Sequence, residues 1–170
     1  MKTVSFGAVA AAMFLVAAAP VHAVPSVVTS LAAFNTAIGG AGTTTDPFDN
    51  DIAGAVSITF DSGVVSTLAG GNLGFARLDN VVSGGIFEVF IDGSGAAAAL
   101  TLTWDFHAPV IGFGIDLFSV DNLDVRIAGS GTFFDINTEI RGTSGFFGIV
   151  DTAAPFTSIE FSVQGGNSAD

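Results

Sequence analysis

Hydrophobic and polar positions alternate most regularly between Leu100 and Phe118. Apolar residues stand at every second position from Leu100 to Phe106 and again from Ile111 to Leu117, which is the period of a half-buried β-strand. The Ala108-Pro109 step between the two runs predicts a turn, so we expect a hairpin in which Trp104 faces Phe113. Both apolar rows then lie on one face of the hairpin. We expect this hairpin at the centre of a β-sandwich.

Shorter alternating runs occupy much of the rest of the chain, separated by Gly, Asn or Asp. They lie at 56–60, 64–68, 86–92, 123–127, 134–140, 146–150 and 157–163. Together with the central pair they predict about nine strands. The fold class predicted by this pattern is all-β, an antiparallel β-sandwich or jelly roll.

One short helix is predicted near the beginning of the domain. Ser30 or Thr29 is a suitable N-cap, Leu31, Phe34 and Ile38 share one face, and Gly39-Gly40 ends the helical run.

Residues 1–23 have the three parts of a secretory signal peptide. Lys2 supplies the positive end, 6–19 the apolar run, and Val21-His22-Ala23 the small-residue cleavage site. Fourteen apolar residues are too few for a comfortable membrane span. We therefore expect export, cleavage before Val24, a single domain over 24–170, and no insertion of the mature domain into a membrane.

Charge excludes two classes of partner. After residue 23 the chain keeps three arginines, no lysine and all 16 acidic residues, a formal charge of −13. Such a surface repels phosphates, so we expect neither nucleic acid nor anionic lipid as a partner. The chain has no cysteine, so an exported domain of this kind depends on its core, for which 17 phenylalanines provide material.

The candidate catalytic residues are few. His107 is the only histidine after the leader, two residues from Asp105, and the glutamates are Glu88, Glu139 and Glu160. No serine lies in a Gly-x-Ser-x-Gly elbow. A pair of carboxylates of the glycosidase type stays open as an alternative, but an exposed turn histidine and solvent-facing strand acids explain these residues better. The sequence therefore predicts a protein that is not an enzyme.

Sugar binding is the second functional class considered. An aromatic platform is not expected, because the chain has no tyrosine and Trp104 falls in an apolar row. The polar face of the expected hairpin carries Thr101, Thr103 and Asp105 beside glycines at 112 and 114, with Asp116. This trough either binds polyols or lets a second layer pack closely, and close packing is the favoured interpretation.

Two groups of acidic and amide side chains suggest a structural calcium ion, the one cofactor considered. The first contains Asp46, Asp49, Asn50 and Asp51, and the weaker second contains Asp121, Asn122 and Asp124. Calcium takes oxygen ligands of these types, and a bound cation would offset the negative charge. The alternative is that these residues form turns through hydrogen bonds to their own backbone.

Four stretches resemble the PEP-CTERM proteins, which are exported by Gram-negative bacteria and sorted by a C-terminal Pro-Glu-Pro tail. They are LAAFNTAIGG (31–40), ITFDSGVVST (58–67), PVIGFGIDL (109–117) and GFFGIVDTAAPFTSIEFSV (145–163). The sequence has no Pro-Glu-Pro tail, so it resembles either a fragment that lacks its C-terminal continuation or a relative without the tail. The resemblance implies secretion or a cell-surface location, and a role near extracellular polysaccharide or biofilm.

These observations lead to two functional expectations. The first is an exported, non-catalytic β-sandwich protein of the cell envelope or extracellular matrix, with extracellular polysaccharide as its expected partner. The alternative is a carbohydrate-binding module or a remnant glycan-active enzyme.

Overall fold

The computed structural model describes residues 24–70, 79–90, 100–118, 120 and 123–163. The predicted leader, residues 1–23, lies outside the described residues. In chain order the elements are β1 (Ser26–Val28), α1 (Leu31–Ala37), β2 (Ile52–Ala55), β3 (Ser57–Thr59), β4 (Val65–Gly70), β5 (Asp79–Ser83), β6 (Ile86–Phe90), β7 (Leu100–Val110), β8 (Gly112–Leu117), β9 (Leu123–Ile127), β10 (Phe134–Asp135), α2 (Ile136–Ile140), β11 (Gly145–Val150) and β12 (Phe156–Val163).

The strands form three antiparallel sheets. The largest has the order β10-β9-β12-β7-β4-β3, and two three-stranded sheets have the orders β1-β11-β8 and β2-β5-β6. The predicted all-β, sandwich-like fold is confirmed. The described residues contain twelve strands rather than about nine, because the short strands β1, β2 and β5 were not predicted.

The core lies between the six-stranded sheet and the two smaller sheets. Trp104 on β7 is 5% exposed and is the residue at which all three sheets meet. Its ring centroid lies 5.3 Å from that of Phe87 on β6, 5.6 Å from Phe113 on β8, and 5.5 Å from Phe161 on β12. Edge-to-face arrangements of this kind are favoured between aromatic rings. The predicted contact between Trp104 and Phe113 is confirmed.

The expected hairpin at 100–118 is wrong. Strand β7 pairs with β12 and β4, whereas β8 pairs with β11 in a different sheet. The chain crosses from one layer to the other at Ile111, so the apolar rows of the two strands face each other across the core. A hairpin and a crossing between layers bury the same apolar rows. Alternation alone therefore does not distinguish the two topologies.

The turn expected at Ala108-Pro109 is instead part of a bulge within β7. Phe156 pairs with Val110, but two residues later Ser158 pairs with Asp105, so extra residues of β7 are left out of the ladder. His107 takes the left-handed conformation there, with φ 58°. Extra, unpaired residues of this kind bend a strand without ending it.

Helix α1 confirms the predicted helix. Ser30 is the N-cap, and its side-chain oxygen accepts a hydrogen bond from the Ala33 backbone N–H at 3.2 Å. Phe34 and Ile38 are buried as expected, but Leu31 at the start of the helix is 56% exposed. The buried face is therefore narrower than predicted.

The helix packs on glycines of the β1-β11-β8 sheet. A Cβ atom added at Gly148 would lie 3.0 Å from both Phe34 and Val28, and one at Gly112 would lie 3.0 Å from Ile38. A Cβ at Gly114 would lie 2.7 Å from the Phe146 ring. These glycines allow close packing, which was the favoured interpretation of Gly112 and Gly114.

Helix α2 corrects the prediction of a strand at 134–140. Asp135 caps this helix by accepting hydrogen bonds from the Thr138 N–H at 3.1 Å and from the Thr138 hydroxyl at 2.9 Å. These bonds lower the pKa of Asp135. Ile136 and Ile140 fit a helix as well as a strand, since positions i and i+4 share a helical face. The cap, not the apolar pattern, distinguishes the two.

The first predicted strand, 56–60, is shorter than expected, because β3 covers only Ser57–Thr59. Ile58 and Phe60 are buried as expected, but Val56 lies between β2 and β3 and is 50% exposed. Its carbonyl oxygen accepts a hydrogen bond at 2.8 Å from the Asn80 side-chain amide. Asn80 is fully buried on β5 and also accepts the Ser66 hydroxyl at 2.9 Å. This polar contact joins the β2-β5-β6 sheet to the six-stranded sheet.

In the part of the chain that the structure describes, neither helix is long and apolar enough to cross a membrane.

Candidate functional site: a polar row on the six-stranded sheet

A row of polar side chains crosses five strands on the outer face of the six-stranded sheet. Ser57 on β3 pairs with Thr67 on β4, which pairs with Thr103 on β7. Thr103 pairs with Glu160 on β12, and Glu160 pairs with Arg126 on β9. We call these five residues the polar row.

The row faces away from the core because side chains alternate along each strand. Leu102 and Trp104 flank Thr103 in the sequence, Ile159 and Phe161 flank Glu160, and all four are buried core residues. In contrast, the Ser57 side chain is exposed and Thr67 and Thr103 are half-buried. Helix α1 packs on β1, β8 and β11, which belong to the other layer.

An ion pair ends the row. The Arg126 Nε and one terminal nitrogen of the guanidinium both contact Oε2 of Glu160. The side chains of the pair remain 31% and 21% exposed. The Phe133 ring, 45% exposed, lies over the guanidinium with its centroid 4.5 Å from the Arg126 Cζ. Arg126 is thus held from two sides, by a carboxylate and by an aromatic face.

At the other end of the row, two hydroxyl groups form a hydrogen bond with each other. The Ser57 Oγ and the Thr67 Oγ1 lie 3.0 Å apart and share a hydrogen bond. Hydroxyl groups both donate and accept. The row therefore presents groups of both kinds, and its two formal charges, on Glu160 and Arg126, offset each other.

Polar residues also flank the row on both sides. Thr101 pairs with Ser162 on one side, and Asp105 pairs with Ser158 on the other. Thr101, Thr103 and Asp105 were predicted to share a trough with the glycines at 112 and 114 and with Asp116. That trough is wrong, because Asp116 and the glycines belong to the β1-β11-β8 sheet.

The Asp105–His107 pair lies at the exposed bulge of β7. The Asp105 carboxylate accepts the backbone N–H of His107 at 2.8 Å, and the His107 Nδ1 is 3.8 Å from the same oxygen. The two side chains are 54% and 64% exposed. The carboxylate thus stabilises the backbone of the bulge.

The three glutamates lie on three different elements of the fold. Glu88 is exposed on β6, Glu139 lies in the first turn of α2, and Glu160 is in the polar row. The structure does not bring two of them together as a carboxylate pair. Glu160 is engaged by Arg126 instead.

The residues of the first predicted calcium group form hydrogen bonds to three different loops. Asp46 accepts the backbone N–H groups of Phe48 at 3.0 Å and Ser62 at 2.9 Å. Asn50 donates to the Asp61 carboxylate, and Asp51 accepts the Gly84 N–H at 2.9 Å. Asp49 is exposed in the same loop. Asp46 thus accepts a hydrogen bond from the backbone of its own turn, as the turn-forming alternative proposed, whereas Asp51 accepts one from a turn that is distant in sequence.

The second predicted calcium group is only partly described. Asp121 and Asn122 lie outside the described residues. Asp124 is within strand β9 rather than in a loop, and it is 6% exposed. Among the described residues, no group of three acidic or histidine side chains is arranged to hold a metal ion. Calcium binding stays a prediction.

Sequence reasoning missed most of the polar row. Thr103 and Glu160 were considered separately as candidate site residues, whereas Ser57, Thr67 and Arg126 were not, and neither was the neighbouring Phe133. The alternation of each strand indicated that these side chains point outward. Their alignment depends on the pairing of strands that are distant in sequence, and no local pattern reports such a pairing.

Comparisons of the chain with protein-family models, with curated proteins and with solved structures give no match. The resemblance to PEP-CTERM proteins therefore stays a prediction.

Proposed function

We propose that this chain is an exported, non-catalytic protein of the cell envelope or extracellular matrix that binds extracellular polysaccharide. The observation that carries the proposal is the polar row, a line of hydroxyl, carboxylate and guanidinium groups on the outer face of the largest sheet. Polysaccharides are recognised through many hydroxyl groups, and each of these both donates and accepts hydrogen bonds.

The charge of the chain and the leader support the same proposal. A secretory leader before residue 24 would take the domain to the polysaccharide outside the cell. A formal charge of −13 disfavours nucleic acid and anionic lipid as competing partners.

The geometry favours binding over catalysis. A glycosidase places two carboxyl groups on either side of the bond that it cleaves. In the polar row, Glu160 is held by Arg126, and the nearby Asp105 is held by the His107 backbone. Both carboxylates thus have structural partners on an open sheet face. This supports a binding module rather than a glycan-active enzyme.

Fractionation of a Gram-negative host that secretes polysaccharide tests the proposal. We expect protein expressed from the full sequence to lose residues 1–23 and to co-purify with the extracellular polysaccharide. Degradation of that polysaccharide should release the protein into the soluble fraction. Retention of the protein inside the cell, or an extracellular protein that never associates with polysaccharide, would contradict the proposal.

A further inference from the structure

The geometry points to a single uncharged polysaccharide chain as the ligand of the polar row, lying across the strands with one sugar ring against Phe133. This inference rests on the proposed function and specifies the chemistry and direction of the ligand.

The length of the row suits a polymer better than a small sugar. Neighbouring strands lie about 4.8 Å apart, so the row from Ser57 to Arg126 extends over about 19 Å. Phe133 follows directly beyond Arg126. A polysaccharide chain that crosses the strands could contact one polar side chain of the row on each of the five strands.

The charge of the row suits an uncharged polymer. Glu160 and Arg126 offset each other, and Ser57, Thr67 and Thr103 carry no charge. An anionic chain would be repelled by the −13 charge of the domain. A cationic chain would be attracted to acidic residues over the whole surface, with no preference for this row.

The exposed ring of Phe133 gives the row an apolar end. The C–H groups on the face of a sugar ring pack well against an aromatic ring, because both surfaces are apolar. Phe133 is positioned for this by its contact with the Arg126 guanidinium.

The twist of the sheet favours one chain over a crystalline surface. Adjacent strands rotate by about 20–25°, so the side chains of the row turn through roughly 80–100° between β3 and β9. A flat crystal face meets only part of such a row. A single chain can rotate about its own bonds and follow it.

The test measures binding of the purified, exported protein to soluble hydroxyethyl cellulose, dextran, alginate and chitosan, and to crystalline cellulose. We expect binding to at least one of the two neutral soluble chains, with an affinity that is nearly independent of salt because the ligand has no charge. Thr103→Val and Phe133→Ala should each weaken that binding about 5–10-fold, the effect expected for losing one hydrogen bond or one aromatic contact.

Matched variants elsewhere on the surface provide the controls. Thr152→Val changes an exposed threonine outside the polar row, and Phe118→Ala removes a phenylalanine that is 75% exposed directly after β8. Both should bind the neutral chain within about twofold of the unmodified protein, and all four variants should keep its melting temperature, as is usual for surface substitutions.

Each other outcome has a distinct meaning. Salt-sensitive binding to alginate or chitosan alone, or binding to crystalline cellulose alone, would overturn the inference and leave polysaccharide binding intact. Binding to a neutral chain that Thr103→Val and Phe133→Ala leave unchanged would also overturn it, because the ligand would lie elsewhere. No binding to any of the five polysaccharides would overturn the inference, and fractionation of the polysaccharide-secreting host would then decide separately whether the proposed function also fails.

Discussion

Truncation of Trp104 to alanine is expected to be among the most damaging single changes to this domain. Trp104 contacts five phenylalanine rings with centroids 5.1–6.5 Å away. Three of these rings lie on the three sheets, Phe60 lies directly after β3, and Phe48 lies in the loop before β2. Emptying a large buried aromatic site costs about 3–5 kcal/mol. We expect a value of about 4–5 kcal/mol, because several edge-to-face contacts are lost as well.

Trp104→Phe separates the contribution of packing from that of the indole N–H. The Trp104 Nε1 is buried without a hydrogen-bond partner among the described residues, and an unsatisfied buried donor costs about 1–3 kcal/mol. Phenylalanine removes this donor and keeps most of the aromatic contacts. We therefore expect Trp104→Phe to cost less than about 1.5 kcal/mol, since the smaller ring and the removed donor act in opposite directions.

Urea unfolding followed by far-ultraviolet circular dichroism measures both costs. Fluorescence is unsuitable for the variants because Trp104 is the only tryptophan of the chain. Phe118→Ala is the exposed control and should stay within about 0.5 kcal/mol of the unmodified protein. A Trp104→Ala cost below about 1 kcal/mol would refute the central position of this residue. A Trp104→Phe cost equal to that of alanine would refute the reasoning about the N–H.

Four further predictions concern packing, buried polarity, pH and calcium. Gly148→Ala should cost about 1–3 kcal/mol in thermal unfolding, because the added Cβ would lie 3.0 Å from side chains of helix α1 and strand β1. The control Gly142→Ala, whose Cβ would have no atom within 4 Å, should cost much less. Equal costs would contradict the close-packing interpretation. Asn80→Ala should cost about 1–3 kcal/mol, since it leaves the fully buried Ser66 hydroxyl without the acceptor that Asn80 provides, and a cost under about 0.5 kcal/mol would contradict this. Asp135→Ala should cost about 1 kcal/mol at pH 7, because it removes the cap of α2. The pKa of this carboxyl is lowered in the folded protein, so its stabilisation is present above the unfolded pKa and is lost as the pH falls through the folded pKa, below about 4. A cost that does not change with pH would refute the role of the charge. If calcium binds the folded domain, millimolar calcium should raise the melting temperature, and Asp49→Ala should abolish the increase. A melting temperature that calcium does not change would contradict calcium binding by the loop acids at 46–51.

Local physical chemistry determined most of the elements. A strand has a side-chain period of two residues, so alternation identified most of the strands and the inward position of Trp104 and Phe113, but not the short strands β1, β2 and β5. Ser30 and the glycines after Ile38 likewise determined helix α1, because capping depends on a few neighbouring residues. At 134–140 the same kind of pattern was ambiguous, and the Asp135 cap marks a helix there.

The pairing of the strands was decided only by the tertiary structure. The run from Leu100 to Leu117 buries the same side chains in a hairpin and in a crossing between layers, so only the partners supplied by β4, β11 and β12 distinguish them. The polar row has the same origin. Ser57, Thr103 and Glu160 each point outward by local alternation, but they lie in one line because strands far apart in sequence pair in a particular register, and such contacts carry no signal within a single run of residues.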